Sequence, residues 1–311
     1  DKYGMTQVVL NPQIDQLAHE HAQSIRGNFV IAVLGEVRAR PDDMVNPKLK
    51  TGKIEVYVDE LDILNPSETP PILPWEPQDT SEALRLKYRF LDLRGPVLQR
   101  NLKMRYDITR VARNELHRNG FMEVETPVLT KSTPEGARDY LVPSRLNPQS
   151  FYALPQSPQL FKQILMVSGM DRYFQIVKCF RDEDLRFDRQ PEFTQIDIEM
   201  SFGNEKLIFQ MIEEMMAGIY QEVLDTKIDT PFPILKYQDA IDRFGSDKPD
   251  MRFDMEIVDV GEIVRGTKFK VFAQVLESGG QVRALNVKNS TEALSRKTLD
   301  DLTEIAKTYV A

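Results

Sequence analysis

The chain has 311 residues, a length that suggests about two domains, and 41% of its residues are hydrophobic, which excludes a disordered chain. The 48 acidic residues outnumber the 40 basic ones and give a net charge of -8, so any contact with a nucleic acid must depend on local basic patches. No apolar run reaches the roughly 18 residues of a membrane span, and Cys179, the single cysteine, excludes an intramolecular disulfide and fits a reducing cytosol.

The amino-terminal part of the chain predicts a small β-rich module. A β-rich run at 5–10 is followed by a helical stretch through Ile25 and by two further strand-like runs, 28–34 and 54–63. In the last run apolar and polar residues alternate until the register shifts near Glu60. The order strand, helix, strand, strand indicates part of a β-barrel, and a closed barrel of this kind needs about five strands. Either a strand is hidden in the sequence or the chain begins inside the domain.

A proline-rich segment separates this module from a second domain. Residues 65–77 contain five prolines, which remove backbone donors and favour extended conformations, so we expect a linker here. A helical stripe of apolar residues then runs from Leu98 to Leu116 and should stop at Gly120. Three strands and a Met-rich helix with a core-facing stripe are predicted, in this order, at 121–125, 173–180, 193–202 and 205–224. Such a mixture, without regular strand–helix alternation, favours an α+β domain on an antiparallel sheet.

The densest polar chemistry lies on the last two of these strands. Because side chains alternate across a strand, Asp197 and Glu199 share one face, and Arg181 and Glu183 extend a face of the preceding strand. The two strands read as an antiparallel pair joined by a long charged loop. A solvated sheet face would explain the alternation alone, but the clustering of both charges at the base of the loop favours a site. Guanidinium groups there can bind a phosphate or a carboxylate, and acids can bind an ammonium group or hydrated Mg²⁺.

Two further segments contain polar residues in patterns that suit a small charged ligand. Ser157 before Pro158 predicts a helix start capped by the serine hydroxyl, and Lys162 follows one turn along this helix, whose amino terminus attracts anions. An ordinary cap with a surface lysine is an equally good interpretation. Segment 133–139 places Glu135 between a proline and a glycine, as in a mobile lid, although turns of this composition are usually only turns. The three clusters together predict a site for a small zwitterion and a phosphate-bearing partner.

At these positions the sequence resembles a known family. Residues 180–183 and 189–195 resemble motif 2 of the class II aminoacyl-tRNA synthetases, and residues 120–127 resemble motif 1, which forms the dimer interface in that class. A more specific resemblance to bacterial-type aspartyl-tRNA synthetases rests on the segments 133–139, 156–162 and 245–250. The resemblance runs along the whole chain.

The resemblance implies two-step chemistry. A carboxylate of L-aspartate attacks the α-phosphate of Mg²⁺-ATP, and the aspartyl group then passes to the 3′-terminal adenosine of tRNA(Asp). No organic cofactor and no protein nucleophile are implied, so catalysis would rest on positioning and charge stabilisation. The implied partners are L-aspartate, ATP and tRNA(Asp), together with a second copy of the chain in a homodimer. The implied location is the cytoplasm, with no membrane association.

The family's roles carry over to single positions of this sequence. Arg181 is the implied catalytic residue, which bridges the amino-acid carboxylate and the α-phosphate. The residues implied to bind ATP are Arg181, Glu183, Gln190 and Phe193, of which the phenylalanine stacks on adenine. The residues implied to bind aspartate are Glu135, Ser157, Gln159, Lys162, Arg181 and Asp197. Lys162 would pair with the side-chain carboxylate of aspartate and reject asparagine, because its buried charge would then stay unpaired.

A separate set of residues matches positions that face the anticodon in the family. They are Gln7, Arg38, Arg40, Asn46 and Glu55. Arg38 and Arg40 are expected to share an exposed strand face, which suits a contact with the RNA backbone or a base edge.

The resemblance also implies how the α+β chain is divided. Its four parts would be a partial anticodon-binding OB-fold β-barrel at 1–64, a proline-rich linker at 65–84, a class II catalytic core on an antiparallel sheet at 85–252, and the start of an inserted α/β domain of the bacterial type at 253–311. The first OB-fold strands are expected before residue 1. Motif 3 and the Mg²⁺ ligands are expected beyond residue 311, so the metal ligands are unknown and this piece alone is expected to be inactive.

Alternatives to an aspartate–tRNA ligase stay open. The missing motif 3 also fits a non-catalytic tRNA-binding or dimerisation fragment. A synthetase that also charges tRNA(Asn) is a further alternative. Lys162 argues against asparagine as the amino acid, and the acidic-substrate lid motif around Glu135 argues against lysine.

Overall fold

A computed structural model describes residues 4–73, 80–184, 189–253, 255–288, 290 and 294–309. The chain forms two compact units, Asp1–Gly203 with Gly218–Thr226 and Asn204–Ala217 with Lys227–Ala311. The mixture of helices and mainly antiparallel sheets confirms the α+β class. The finer division at 64, 84 and 252 stays a prediction. Residues 74–79 of the predicted linker and 185–188 of the charged loop lie outside the described residues.

The amino-terminal sheet has the strand order β1-β3-β2 in the described part of the chain. Its elements are β1 (Val8–Val9), α1 (Gln16–Ala22), β2 (Val30–Ala39) and β3 (Ile54–Asn65), with a short 3₁₀ helix at Asp42–Met44. This is the predicted order of elements, although β2 continues five residues beyond its predicted end. β1 runs parallel to β3, and β2 runs antiparallel to β3. The small core of this region joins Ala18 of α1 to Val58 and Leu61 of β3.

The predicted register shift near Glu60 is confirmed. Leu34 pairs with Glu60, whereas the next residue, Gly35, pairs with Val58, so one residue of β3 is left over in a bulge. Glycine is required here, because a Cβ at Gly35 would lie 1.9 Å from the carbonyl oxygen of Tyr57.

A long helix leads into the region of the predicted site. The helices here are α2 (Glu82–Lys87), α3 (Arg89–Asp92) and α4 (Pro96–Arg118). The end of α4 at Gly120 is confirmed, since Gly120 has a φ of +77° and donates its N–H to the carbonyl of His117 at 3.0 Å. Phe121 donates to the carbonyl of Leu116, also at 3.0 Å, which completes a Schellman-type end. Phe121 and Leu116 are both buried, so this end of the helix is anchored in the core.

The predicted site lies on a sheet with the order β4-β7-β8 among the described residues. The elements from here to the end of this sheet are β4 (Met122–Glu123), β5 (Leu141–Pro143), β6 (Phe151–Ala153), α5 (Gln159–Val167), β7 (Arg172–Phe180) and β8 (Glu192–Met200). The predicted antiparallel pair is confirmed in β7 and β8, and β4 runs parallel to β7. β5 and β6 form a separate antiparallel hairpin that the sequence did not predict.

The Met-rich helix α6 (Glu205–Leu224) has the predicted bounds. Its core-facing stripe is confirmed at Met211, Met215 and Ile219, which are buried. The later elements are a 3₁₀ helix at Met251–Phe253, α7 (Tyr237–Phe244), β9 (Ile257–Asp259), α8 (Lys270–Glu277), β10 (Arg283–Leu285) and α9 (Arg296–Tyr309), with β9 and β10 antiparallel. None of the helices in the described ranges is long and apolar enough to cross a bilayer.

Candidate active site

The register of β7 and β8 brings the predicted acids onto one sheet face. Directly opposite residues of an antiparallel pair point to the same side, and here Gln175 lies opposite Asp197 while Tyr173 lies opposite Glu199. Helix α5 packs against both strands. The alternation read from the sequence therefore placed Asp197 and Glu199 correctly.

Lys162 of α5 reaches this face and forms what we call the lysine cluster, made of Lys162, Asp197 and Glu199. Its Nζ lies 3.0 Å from Asp197 Oδ1 and 3.2 Å from Glu199 Oε2, and its side chain is only 10% exposed. Burial alone lowers the pKa of Lys162, but the hydrogen bonds and charges of the two carboxylates outweigh it and raise the pKa above its ordinary value. The lysine is therefore charged and paired.

This geometry corrects two expectations. Lys162 is buried, so the surface-lysine interpretation is wrong. The premise that the Lys162 charge would be unpaired without aspartate does not hold, because Asp197 and Glu199 already pair with it, and the rejection of asparagine stays a prediction. Glu199 was not among the predicted site residues, although its shared face with Asp197 was a signal that could have found it.

A buried hydrogen-bond network supports the lysine cluster from the neighbouring strand. Gln175 Oε1 accepts bonds from the hydroxyls of Tyr173, at 3.0 Å, and Thr126, at 2.9 Å. Burial, together with the nearby charge of Asp197, raises the pKa of Tyr173, so this hydroxyl remains a donor. Asp197 Oδ2 is buried and has no hydrogen-bond partner among the described residues. The carboxylate of Asp197 thus has bonding capacity that the described residues do not use.

The base of the charged loop forms a second feature, which we call the arginine cavity. It has a volume of about 310 Å³ and is lined by Arg181, Glu183, Asp184, Arg189, Gln190, Pro191 and Phe193. These include all four residues predicted to bind ATP. The guanidinium carbon of Arg181 lies 5.0 Å from the centroid of the Phe193 ring. The backbone N–H of Arg181 donates to the carbonyl of Pro191 at 2.9 Å. Arg181 Nε is buried without a hydrogen-bond partner among the described residues.

The predicted lid segment lines a cavity of its own and contacts the base of the charged loop. Ser157 donates its hydroxyl to Glu135 Oε2 at 2.8 Å, and Thr133 donates to Glu135 Oε1 at 3.1 Å. These three residues belong to the lining of a smaller cavity of about 150 Å³. The backbone N–H of Asp182 donates to the carbonyl of Arg138 at 2.9 Å, which joins the segment to the base of the charged loop.

Ser157 does not cap helix α5, so this part of the sequence prediction is wrong. The helix begins at Gln159 after Pro158, and no side chain bonds to its first turn. The serine hydroxyl is used by Glu135 instead. Gln159 is half-buried at the first residue of α5, three residues before Lys162, and lines neither of the two cavities.

Cys179 shows that these groups converge. It lies opposite Phe193 on the site face of β7 and is fully buried. Burial raises the pKa of its thiol to about 11, and the charges of Asp197, Arg181, Glu135 and Lys162 also act on it. The acids raise this pKa and the basic groups lower it, so both features lie within electrostatic reach of one buried atom.

The residues predicted to face an anticodon lie together only in part. Glu55 Oε2 accepts a bond from Gln7 Nε2 at 3.2 Å and lies 3.8 Å from Arg40 Nε. Arg38 is exposed and pairs with Glu36 at 2.6 Å. Asn46 stabilises a turn, its Oδ1 accepting the backbone N–H of Lys48 at 3.0 Å.

Arg38 and Arg40 do not share an exposed face, contrary to expectation. The strand β2 ends at Ala39, and the Arg40 side chain turns inward, where it is 3% exposed and donates Nε–H to the carbonyl of Ile54 at 3.1 Å. The alternation rule fails here because it holds only inside a strand.

No group of three or more metal-ligating side chains occurs among the described residues. The lysine cluster contains two carboxylates, but their shared lysine already neutralises one of them. The lysine cluster alone therefore does not form a site for Mg²⁺.

Comparisons with known proteins identify the family of the chain. The sequence profile described as tRNA synthetases class II (D, K and N) matches residues 81–304. The aspartate–tRNA(Asp/Asn) ligases of Desulfatibacillum aliphaticivorans and Syntrophotalea carbinolica are 57% and 55% identical over 311 residues, which is 100% of this chain and 52% of each relative. The chain thus spans about half the length of the curated relatives it matches.

Solved structures show the same fold. Asparaginyl-tRNA synthetase from Pyrococcus horikoshii, complexed with asparaginyl-adenylate, superposes with a TM-score of 0.61 at 24% identity, over 72% of this chain and 50% of that one. A putative aspartyl-tRNA synthetase from Leishmania major gives 0.61 at 19% identity, over 72% and 45%. These likenesses concern the fold, whereas the family follows from the profile, which matches most of the chain. The protein belongs to the class II tRNA synthetases of the D, K and N group.

Proposed function

We propose that the chain is part of an aspartate–tRNA ligase. The whole enzyme would activate L-aspartate with ATP to aspartyl-adenylate and transfer the aspartyl group to the 3′ end of tRNA(Asp). The observation that carries the proposal is the arginine cavity, because one cavity collects all four residues matched to ATP binding, Arg181, Glu183, Gln190 and Phe193. Its volume of about 310 Å³ lies at the small end of the range for ligand pockets.

On the ATP side, Arg181 is the proposed catalytic residue. Its buried Nε–H, without a partner among the described residues, and the rest of its guanidinium suit two oxygens of an α-phosphate and an amino-acid carboxylate. Charge that develops on the phosphate during in-line attack would be stabilised by this fixed cation. Arg181 covers one face of the Phe193 ring, so adenine would stack on the other.

On the aspartate side, the lysine cluster would bind the side-chain carboxylate and the ammonium group of the substrate. Lys162 has three N–H donors, and Asp197 and Glu199 occupy two of them, which leaves one for the side-chain carboxylate of aspartate. The substrate ammonium would donate to Asp197 Oδ2 and to Glu135. The two remaining residues proposed to contact aspartate are Ser157 and Gln159.

No nucleophile from the protein takes part in the proposed reaction. The attacking atom is a substrate carboxylate oxygen, and the leaving group is pyrophosphate. The pKa of Cys179 is raised to about 11, so this thiol is protonated at neutral pH and does not compete. Mg²⁺ is proposed only as the ion that accompanies ATP.

We further propose that the amino-terminal module contacts the anticodon of the tRNA. The exposed Arg38 and Gln7 are the side chains best placed for direct contact. Arg40 and Glu55 are buried and would contribute by supporting the surface that meets the RNA. Asn46 would contribute by stabilising its turn. A homodimer formed through the motif 1 region and a cytoplasmic location complete the proposal.

A second candidate is that the same enzyme also places aspartate on tRNA(Asn). It is favoured by the relatives, which are named aspartate–tRNA(Asp/Asn) ligases. Aminoacylation of the two purified tRNAs in parallel distinguishes the candidates. Charging of tRNA(Asp) alone would rule out the second one.

ATP–pyrophosphate exchange by the full-length protein tests the main proposal. Exchange should depend on L-aspartate and should not occur with L-asparagine or L-lysine. Arg181→Ala should abolish it, a loss of at least about 100-fold for a charge that stabilises the transition state. Arg265→Ala is the matched control, because Arg265 is an exposed arginine paired with the exposed Glu262, outside the two cavities and outside motif 1. Exchange driven by another amino acid, or a full rate in Arg181→Ala, would overturn the assignment.

A further inference from the structure

Gln156 makes an unusual side-chain contact with the lid segment. It is a polar residue with only 2% exposure. Its Oε1 accepts the backbone N–H of Ala137 at 3.1 Å, and its Nε2 donates to the carbonyl of the same residue at 2.9 Å. The amide thus pairs with one residue in both directions, as a peptide group does in an antiparallel sheet.

The second hydrogen of the same amide reaches an acid within the segment. Gln156 Nε2 lies 2.5 Å from Asp139 Oδ1. The other oxygen of Asp139 accepts bonds from the Ser132 hydroxyl, at 2.6 Å, and the Thr133 N–H, at 3.3 Å. Asp139 therefore closes the segment on itself, and Gln156 holds the closed segment to the body of the unit.

Glu135 lies inside this closed segment, between Thr133 and Ala137. Its carboxylate is oriented by Ser157, the residue directly after Gln156. Gln156 and Ser157 together fix where the segment lies and where the carboxylate of Glu135 points. A change at Gln156 would move the carboxylate of Glu135 without removing it.

We propose that Gln156 is a positioning residue that sets the affinity of the site for the amino-acid substrate. It acts through Glu135 by holding segment 133–139 in place. The inference rests on the proposed function, in which Glu135 receives the substrate ammonium. A purely structural role makes a different prediction, since loss of folded protein lowers the rate for both substrates and leaves both KM values unchanged.

A double-mutant cycle on the full-length protein tests the inference. Gln156→Glu removes both donors of the amide at nearly unchanged shape, and it places a carboxylate beside Asp139. The KM for aspartate in ATP–pyrophosphate exchange should rise by about tenfold or more, as for the loss of a hydrogen bond to a charged group, and the KM for ATP should stay within about twofold. Adding Asp139→Asn should restore at least about threefold of the loss, because the new amide can donate to the carboxylate at 156.

Gln221→Glu provides the matched control. Gln221, an exposed residue of α6, donates to Asp225 Oδ1 at 3.1 Å. Gln221→Glu therefore places two carboxylates side by side outside the site, as Gln156→Glu does within it. It should leave both KM values unchanged. Three results would overturn the role of Gln156 but not the proposed function. They are equal increases in both KM values of Gln156→Glu, unchanged KM values in that variant, and no recovery in the double variant. Absence of aspartate-dependent exchange in the wild type would overturn the proposed function and this inference with it.

Discussion

The lysine cluster and the arginine cavity are two neighbouring halves of one candidate site, and they handle charge in opposite ways. Lys162 is buried and has both of its acids within 3.2 Å. Arg181 lines an open cavity, and its Nε has no hydrogen-bond partner among the described residues. The first half pairs its cation internally and leaves only an acceptor, Asp197 Oδ2, without a partner among the described residues, whereas the second leaves a cationic donor without one.

This difference suits the two proposed substrates. Aspartate is small and must be distinguished from similar amino acids, which requires donors and acceptors fixed before it arrives. The phosphates of ATP carry much more charge, and a guanidinium with free donors can grip them. We therefore expect changes in the lysine cluster to affect folding first, and changes in the arginine cavity to affect ligand binding first.

Lys162→Met should give the largest effect on folding. It leaves two carboxylates next to each other without their cation, and Asp197 is 9% exposed, so the free energy of unfolding should fall by about 3–5 kcal/mol. Lys178→Met is the matched control, because Lys178 pairs with Glu192 on the same two strands but both side chains are more than half exposed. Its cost should stay below about 1 kcal/mol. Equal losses in urea titrations of the two variants would contradict the proposed contrast.

Cys179 tests the burial of the sheet face that carries both halves. Its pKa of about 11 means that the thiolate, the reactive form, becomes common only as the pH approaches that value. At pH 7.5 the thiolate fraction should be about 300-fold smaller than for an ordinary thiol with a pKa near 8.5. Iodoacetamide labelling of the peptide that contains Cys179 should therefore be slow in the native protein and fast in urea. Labelling at a similar rate in both conditions would refute the burial.

Phe193→Leu should act on ligand binding and hardly on folding. Stacking of a base on an aromatic ring is worth about 1–3 kcal/mol, so the KM for ATP in the exchange reaction should rise roughly tenfold. The KM for aspartate should change less than about twofold, because the lysine cluster is untouched. Phe151→Leu, at an exposed residue of β6 outside the two cavities, is the control. A larger effect of Phe193→Leu on aspartate than on ATP would break the division into two halves.

The sequence predicted the long elements of the fold well. The helices α4 and α6 and the β7–β8 pair have repeating patterns over nine or more residues, so local periodicity determined them. The hairpin β5–β6 escaped detection because its strands have three residues each, too few to show a period. The resemblance to a family identified four residues predicted to bind ATP, and all four line the arginine cavity.

Contacts between distant segments were not predictable in the same way. The inward turn of Arg40 follows from the end of β2 one residue earlier, a boundary that alternation does not reveal. Gln156 meets Ala137 across 19 residues, and Ser157 serves Glu135 and not the helix that follows it. For Arg40 and Ser157 a local rule predicted an exposed strand face and a helix cap, and tertiary packing gave each side chain a different partner.

Glu199→Gln should give the smallest effect and tests whether exposure decides the cost within the lysine cluster. Glu199 and Asp197 both accept from Lys162, but the Glu199 side chain is 31% exposed against 9% for Asp197. The glutamine keeps an oxygen acceptor, and water screens the lost charge, so the free energy of unfolding at pH 7 should fall by less than about 1 kcal/mol. Asp197→Asn should cost more, because its charge is shielded from water. Equal costs would show that exposure does not set the difference.

The pH dependence of Glu199→Gln carries the same argument further. The carboxylates raise the pKa of Lys162, so the stability that this lysine contributes is fully present below its ordinary value of 10.5 and is lost as the pH rises through the raised value. With one carboxylate removed, the pKa of Lys162 in the folded protein should be raised less, so the variant has less stability to lose and its loss is complete at a lower pH. Urea titrations of wild type and variant between pH 7 and 11 should therefore converge at the alkaline end. Parallel curves would mean that Asp197 alone holds the charge of Lys162.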